Sequence, residues 1–252
     1  MDDFRERLRS IRDRVAAAAR RSGRSPGQVA LVAVTKTVEP ERILEAMREG
    51  LALFGENRVQ EARRKAAEVG PGATWHLVGH LQRNKAGEAA RLFRMIHSVD
   101  SPELLRDLDR HAGERERPLE VLIQVNLARE ESKHGAGEEE VPSILAAAAG
   151  LRGVTVAGLM IIPPYDPDPE KSREYFRALA RLSAGIAGEK FENVAMRELS
   201  MGMSEDFEVA VEEGATLVRI GRALFGERSL SERPLSERPA SERSADAGKE
   251  KG

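Results

Sequence analysis

The sequence predicts an α/β fold in which eight parallel strands close into a barrel, preceded by one extra helix. Two observations lead to this prediction. Eight short apolar runs alternate with stretches of helical length, and most of these runs are continuously apolar. Such runs are typical of parallel strands that crossover helices bury on both faces. The length of 252 residues also suits one (β/α)8 barrel, which often uses about 250 residues.

The predicted elements begin with a helix over residues 3–22. Phe4, Leu8, Ile11 and Val15 recur there at three- and four-residue steps, the pattern of a helix that packs one apolar stripe on a larger body. The predicted strands follow at residues 29–35, 52–56, 74–79, 94–100, 119–126, 154–162, 197–202 and 216–221. Segments such as PERILEAMREG and SPELLRDLDRHAG have the length of crossover helices. An open doubly wound sheet is the alternative, because the second and fourth runs are short.

The composition changes near residue 228. Residues 229–252 repeat a Ser-Glu-Arg-Pro unit and contain almost no apolar side chains. Such a segment cannot offset its ordering entropy by burial. We therefore expect one barrel domain over residues 1–228 and a disordered tail over residues 229–252.

Charge and composition exclude several classes of function. The net charge of -2 gives no electrostatic bias toward nucleic acid or anionic membrane surfaces. The chain has no cysteine, which excludes disulfides, thiolate metal ligands and cysteine nucleophiles. No segment approaches the roughly 18 apolar residues of a membrane span, and the charged first residues do not resemble a secretion signal. We expect a cytoplasmic protein that binds neither nucleic acid nor membrane.

Polar residues stand at the ends of the predicted strands, the face at which barrels carry their sites. In chain order they are Lys36, Glu56, Asn57, His80, Asp100, Asn126, Met160, Ser200, Arg219 and Gly221. Lys36 is the most informative of them. Because it ends the run AVTK, its amine can enter the barrel mouth, where partial desolvation favours the neutral, nucleophilic form. A nucleophilic lysine indicates a carbonyl ligand.

Two loops after the last strands predict a phosphate site. They read LSMGMSEDFEVAVEEG and LVRIGRALFG, and they place Ser200, Gly202 and Gly221 where barrels commonly hold phosphate. Ser204 is a candidate N-cap for the helix that follows. Either glycine alone could be a simple turn residue. A lysine that faces a phosphate site fits pyridoxal phosphate, whose aldehyde would meet the lysine.

Several separated motifs resemble those of the pyridoxal phosphate homeostasis proteins, also called the YggS or PROSC family. The motifs are AVTKT, FGENRVQE, WHLVGHLQRNK, VN followed by ESKHG, GLM, and LSMGMSEDFEVAVEEGATLVRIGRALFG. The resemblance spans about residues 5–228. It implies a fold-type III pyridoxal phosphate TIM barrel, similar to the barrel domain of alanine racemase.

The resemblance also implies which residues bind the cofactor, namely Lys36, Asn57, His80, Ser200, Arg219, Gly221 and Arg222. The lysine would form a Schiff base, and Ser200 with the backbone around Gly221 and Arg222 would hold the phosphate. Arg219 would face the pyridine nitrogen, while the asparagine and the histidine would line the pocket. Since an arginine keeps its proton, the ring nitrogen would stay unprotonated and the cofactor would be a weak electron sink.

This chain departs from the family pattern at the rim of the pocket. Arg58 stands where the family often has an aromatic residue, and the loop IIPPYDPDPE at residues 161–170 is rich in proline.

The resemblance favours a binding protein over an enzyme. The family is regarded as acting in pyridoxal phosphate (vitamin B6) homeostasis, with apo pyridoxal phosphate enzymes as candidate recipients. Alanine racemases need a second base, a tyrosine from an additional β domain for which this chain has no room. Its tyrosines are Tyr165 in the proline-rich loop and Tyr175 in a predicted helix. Without an opposing acid or base, proton exchange at a substrate carbon has no positioned second partner.

Three alternatives stay open at this stage. The first is a pyridoxal phosphate-dependent, racemase-like enzyme. The second is a Schiff-base aldolase-type enzyme that uses Lys36 without a cofactor, because it would share the lysine and the phosphate loops. The third is a purely structural barrel.

The histidines do not predict a metal site. His76 and His80 lie on one predicted strand, where four residues span roughly 13 Å and cannot share an ion. His97, His111 and His134 are scattered along the sequence. We therefore expect no metal.

Overall fold

The computed structural model describes residues 2–113, 115–130, 134–189 and 191–226. Within them, eight parallel strands follow one another in chain order around a closed barrel. The strands are β1 (Ala30–Val34), β2 (Leu53–Glu56), β3 (Thr74–Leu77), β4 (Met95–Val99), β5 (Leu119–Gln124), β6 (Val154–Met160), β7 (Val194–Ser200) and β8 (Leu217–Ile220). Each predicted strand has its counterpart. The barrel prediction is therefore confirmed, and the open doubly wound sheet is wrong because β1 pairs with β8.

Helices connect the strands on the outside of the barrel. Those in the described part of the chain are α1 (Asp2–Arg21), α2 (Pro40–Arg48), α3 (Val59–Val69), α4 (Ala86–Leu92), α5 (Pro102–Ala112), α6 (Val141–Ala148), α7 (Arg173–Gly188), α8 (Phe207–Glu212) and α9 (Arg222–Phe225). The extra first helix is confirmed. The predicted tail at residues 229–252 lies outside the described residues.

Strand β7 and the segment that follows it differ from their predictions in two ways. The strand begins at Val194 and ends at Ser200, whereas residues 197–202 were expected. Arg197 pairs with Glu120 of β5 at 2.7 Å. Because this charged residue interrupts the apolar run, the sequence pattern does not show the first half of the strand. The next helix is capped by Asp206, so Ser204 is not its N-cap.

Helix α1 packs against the outer helices of the barrel. Its stripe of Phe4, Leu8, Ile11 and Val15 is buried, and the helix packs on α8 and α9. Fully burying one such side chain contributes about 1.5–3 kcal/mol. No helix in the described ranges combines the length and the apolar character that crossing a membrane requires.

The barrel interior is apolar in part and polar in part. A cluster of Val32, Val78, Met95, Leu122, Ala157, Met160 and Leu217 forms the apolar part. Side chains two residues apart on a strand share a face, so Arg219 points to the same side as Leu217. Buried polar side chains from β3, β4, β7 and β8 form the polar part, namely His76, His97, Ser200 and Arg219.

Candidate functional site

A cavity of about 440 Å³ opens at the carboxyl ends of the strands. Its lining includes five of the seven residues predicted to bind a cofactor, namely Lys36, Asn57, Arg219, Gly221 and Arg222. They come from β8 and from the segments that follow β1, β2 and β8. The volume lies within the roughly 300–1,000 Å³ of small-molecule sites.

Lys36 lies on a loop whose backbone is held on both sides. Thr37 has a φ of 62°, a left-handed conformation that few non-glycine residues adopt, and its N–H donates to Glu61 Oε1 at 2.8 Å. On the other side, the Thr35 hydroxyl donates to Glu56 Oε1 at 2.6 Å. The Lys36 side chain itself is exposed, in contrast to the partial burial that the sequence predicted. The loop is therefore fixed while the amine stays accessible.

A buried lysine joins the groups that hold this loop. Lys65 Nζ donates to Glu56 Oε1 at 2.7 Å, to Glu61 Oε1 at 2.6 Å and to the Thr35 carbonyl at 2.6 Å. The side chains of Lys65 and Glu56 have no exposed surface. Burial raises the pKa of Glu56, with Lys65 opposing it. Burial also acts to raise the pKa of Glu61, but the hydrogen bonds from Lys65 and the Thr37 N–H outweigh it and lower that pKa.

Arg219 of β8 lies in the wall of the cavity and is only 4% exposed. Its Nη1 donates to Ser200 Oγ at 2.6 Å, and its Nη2 donates to the Ile161 carbonyl at 2.9 Å. Burial lowers the pKa of Arg219 to about 10, and the carboxylate of Asp206 opposes that shift. The guanidinium is therefore a fixed cation at neutral pH.

A chain of buried hydrogen bonds continues behind Arg219. Ser200 Oγ lies 2.8 Å from His97 Nδ1, and His97 Nε2 lies 3.0 Å from His76 Nδ1. Since an arginine only donates, the serine hydroxyl can donate to His97, which then donates through Nε2 to His76. Burial lowers the pKa of His76 to about 4 and that of His97 well below its usual value, so both rings are neutral as this pattern requires.

Ser200 does not line the cavity, although the resemblance implied that it holds a phosphate. Its side chain is fully buried, and its hydroxyl lies between Arg219 and His97. Ser204 lines the cavity instead, and its Oγ accepts a hydrogen bond from the Ala223 N–H at 3.3 Å. The structure thus brings a different serine to the loop that carries Gly221.

His80 also lies outside the cavity lining. Its ring stacks on His134, with centroids 3.7 Å apart and planes inclined by 8°, and its Nδ1 is 3.7 Å from Asp100 Oδ2. Burial and the neighbouring His134 lower the pKa of His80, while Asp100 opposes them. One ligand atom from each of these three side chains lies within 4.8 Å of the others. The barrel thus brings His134, one of the histidines that are scattered along the sequence, next to His80.

Tyr165 lines the cavity, although the sequence analysis assigned it no role in binding. It belongs to the proline-rich loop after β6 and lines the same cavity as Lys36. The side chain is 80% exposed. Loop placement of this kind has no local sequence signal beyond the prolines themselves.

Comparison with known proteins gives the same assignment as the motifs. The family described as alanine racemase, N-terminal domain, matches residues 7–229. The chain is 43% identical to the pyridoxal phosphate homeostasis protein of Aquifex aeolicus over 224 residues, which cover 88% of this chain and 97% of that protein. The Escherichia coli (strain K12) protein of the same name is 39% identical over 235 residues, 92% of this chain and 99% of that protein.

A solved structure agrees with these relatives. PipY of Synechococcus elongatus, determined with pyridoxal phosphate bound, is 38% identical and superposes with a TM-score of 0.75, covering 88% of this chain and 100% of PipY. Identity at this level extends over almost the whole of each relative. The resemblance in the motifs is thereby confirmed, and the chain belongs to the pyridoxal phosphate homeostasis protein family.

Proposed function

We propose that this protein binds pyridoxal 5′-phosphate covalently through Lys36 and serves its homeostasis as a carrier without catalytic turnover. The observation that carries the proposal is the shared cavity, which is lined by an accessible lysine, by the buried Arg219 and by the Gly221 loop. The names of the relatives and the cofactor bound in PipY support it.

The residues of the cavity fit the three functional groups of this cofactor. The amine of Lys36 suits its aldehyde, and the guanidinium of Arg219 suits its ring nitrogen. Ser204, the backbone of Gly221 and Arg222 offer donors to its phosphate. A Cβ at Gly221 would lie 3.3 Å from the Val34 carbonyl oxygen, so the missing side chain lets this loop pack closely on β1.

Each residue has a separate task in binding. Pyridoxal phosphate supplies an aldehyde that condenses with a primary amine and releases water. Lys36 would provide that amine, and its exposure leaves it accessible to the aldehyde. Arg219 would donate to the ring nitrogen without protonating it, which would disfavour carbanion chemistry. Arg222, which now pairs with Glu205, would exchange this partner for phosphate oxygens.

One observation favours a second function, an amino-acid racemase. Tyr165 lines the cavity that contains Lys36, so a second acid–base group is within the same site. Its 80% exposure argues against this role, because positioning a mobile side chain costs conformational entropy. We expect no Lys36-dependent racemisation of amino acids. Turnover that Tyr165→Phe abolishes would establish the racemase instead.

The first experiment records the visible absorption spectrum of the purified protein before and after borohydride reduction. We expect a band that reduction bleaches, that Lys36→Ala lacks and that the exposed-lysine control Lys171→Ala retains. Mass spectrometry of the reduced protein should find the cofactor mass on the peptide containing Lys36. A protein that stays colourless when pyridoxal phosphate is added would overturn the proposal and favour the aldolase-type alternative.

A second experiment tests the carrier role. The loaded protein is mixed with an apo pyridoxal phosphate enzyme, and the recovered activity is followed in time. We expect recovery from the loaded wild-type protein at a rate that differs from that with the same amount of free cofactor. Recovery identical to free cofactor in rate and extent would contradict direct transfer.

A further inference from the structure

Three side chains with metal-ligand chemistry meet at the carboxyl-terminal face of the barrel. His80 follows β3, Asp100 follows β4 and His134 follows β5, so three successive strand ends each supply one. One ligand atom from each lies within 4.8 Å of the others. Bonds of about 2.0–2.2 Å to one ion would place such atoms about 3.4 Å apart in a tetrahedral site. A contraction of roughly an ångström would therefore complete the geometry.

The side chains are free enough to make that contraction. The two imidazole rings are stacked with centroids 3.7 Å apart, so one ring must turn out of the stack before a nitrogen of each can approach the same ion. His80 keeps 35% of its side-chain surface exposed and His134 is also exposed, so little packing opposes the turn. Asp100 Oδ1 accepts a hydrogen bond from the Ser101 hydroxyl at 3.5 Å. The other carboxylate oxygen, Oδ2, lies 3.7 Å from His80 Nδ1.

The donor set selects the class of ion. Two imidazole nitrogens and one carboxylate oxygen suit Zn²⁺ and neighbouring divalent transition metals, whereas Mg²⁺ and Ca²⁺ prefer oxygen ligands alone. Three protein ligands leave a fourth position for water or for a small ligand. The hydrogen bond to Asp100 is of the kind that orients a ligating carboxylate.

We propose that His80, Asp100 and His134 form a binding site for a divalent transition-metal ion of the zinc type. The site is separate from the cavity of Lys36, because none of its three ligands is among the cavity-lining residues. It does not depend on pyridoxal phosphate, and it goes beyond the carrier role.

The test is a calorimetric titration of the untagged, full-length protein with zinc chloride near neutral pH, after dialysis against a chelator that is then removed. We expect saturable binding of one ion per chain. His80→Ala, Asp100→Asn and His134→Ala should each weaken it by at least about 10-fold, the lower bound when even a hydrogen-bond partner of a ligand is lost. The control is His111→Ala, which removes an exposed histidine of α5 outside the cluster and should leave the affinity unchanged.

Two further measurements make the result decisive. Far-UV circular dichroism should show that each variant keeps the wild-type fold, as expected for substitutions at a solvent-accessible rim. Cobalt(II) in place of zinc should give a visible d–d spectrum that the three variants lose. The absence of saturable zinc binding, or an unchanged affinity in any of the three variants, would overturn the site. Zinc uptake is measured with and without added cofactor, so failure here is distinct from failure of pyridoxal phosphate binding.

Discussion

Replacing Lys65 by methionine should destabilise the protein severely. The substitution keeps much of the side-chain volume and removes the cation that lies 2.7 Å from Glu56 Oε1 and 2.6 Å from the Thr35 carbonyl. Glu56 has no exposed side-chain surface, and its Oε2 already has no hydrogen-bond partner. Breaking a buried ion pair from one side costs about 3–5 kcal/mol, because the remaining charge is uncompensated. We expect the free energy of unfolding to fall by about 3–5 kcal/mol.

Replacing the partner carboxylate, Glu56, by glutamine should destabilise the protein less than Lys65→Met does. In Glu56→Gln, the ammonium of Lys65 keeps Glu61 Oε1 at 2.6 Å and the Thr35 carbonyl, so we expect a loss of about 1–3 kcal/mol. In the double variant, Lys65→Met with Glu56→Gln, the carboxylate at position 56 is removed together with its cation. It should therefore be more stable than the sum of the two single losses predicts, with a coupling energy of about 0.5–3 kcal/mol.

The stability loss in Lys65→Met should also depend on pH. Burial raises the pKa of Glu56 above its unfolded value, so its contribution to stability is present below the unfolded pKa and is lost as pH rises through the folded pKa. Because Lys65 opposes this rise in the wild-type protein, its removal raises the Glu56 pKa further. The difference in stability between variant and wild type should be smallest in acid and should grow toward neutral pH.

The assay is urea unfolding followed by circular dichroism at several pH values, with Lys171→Met as the exposed-lysine control. The free energy of unfolding of that control should lie within about 0.5 kcal/mol of the wild-type value. A Lys65→Met variant within about 1 kcal/mol of the wild type at neutral pH would refute the reasoning. A loss that does not vary with pH would equally show that the Glu56 charge is not its cause.

Three further substitutions test the cavity and its surroundings. In Gly79→Ala, the new Cβ would lie 2.4 Å from the Asn57 carbonyl oxygen, so we expect about 1–3 kcal/mol of destabilisation and weaker cofactor binding, measured by urea unfolding and fluorescence titration. Ser204→Ala should weaken pyridoxal phosphate binding about 5- to 10-fold with little change in stability, whereas Ser200→Ala should cost about 1–3 kcal/mol of stability by leaving buried partners unpaired. The same titration and unfolding assays are used for both serines. If Ser200→Ala weakened cofactor binding and Ser204→Ala lowered stability instead, the phosphate role that the resemblance implies for Ser200 would be supported.

The fold could be predicted because its signal is local. Eight apolar runs, each followed by a helix, predict eight parallel strands, and this number of units favours the closed barrel that the structure shows. The same logic located Lys36, Asn57 and Arg219, since the carboxyl ends of parallel strands meet on one face. Their positions at the ends of predicted strands are sufficient to identify these residues as candidates for the site.

The direction of individual side chains could not be predicted in the same way. Ser200 and Ser204 lie four residues apart, and which one faces the cavity depends on where β7 ends and how the next turn folds. The expected strand end, residue 202, was two residues too late. In the cluster of His80, Asp100 and His134, the first two residues belong to the predicted strand ends, whereas the position of His134, ten residues after β5, depends on how its loop folds.

One missed feature did leave a trace in the sequence. Along α3, Val59, Ala62, Lys65 and Val69 are the buried residues, so a lysine occupies the apolar stripe of the helix. A charge at such a position requires a buried partner of opposite charge. Glu56 stands nine residues earlier at the end of β2, where the barrel geometry brings it to Lys65.

The surroundings of Lys36 bear on whether the site binds or catalyses. Enzymes that rely on a reactive covalent intermediate exclude water from it. Here the backbone beside Lys36 is fixed by Thr35 and Thr37, yet the lysine side chain is exposed and the nearby Tyr165 is mostly in solvent. Since the bond between an amine and an aldehyde reverses on attack by water or by a second amine, an open mouth favours release. A fixed loop that presents an accessible amine therefore fits the reversible binding that we propose.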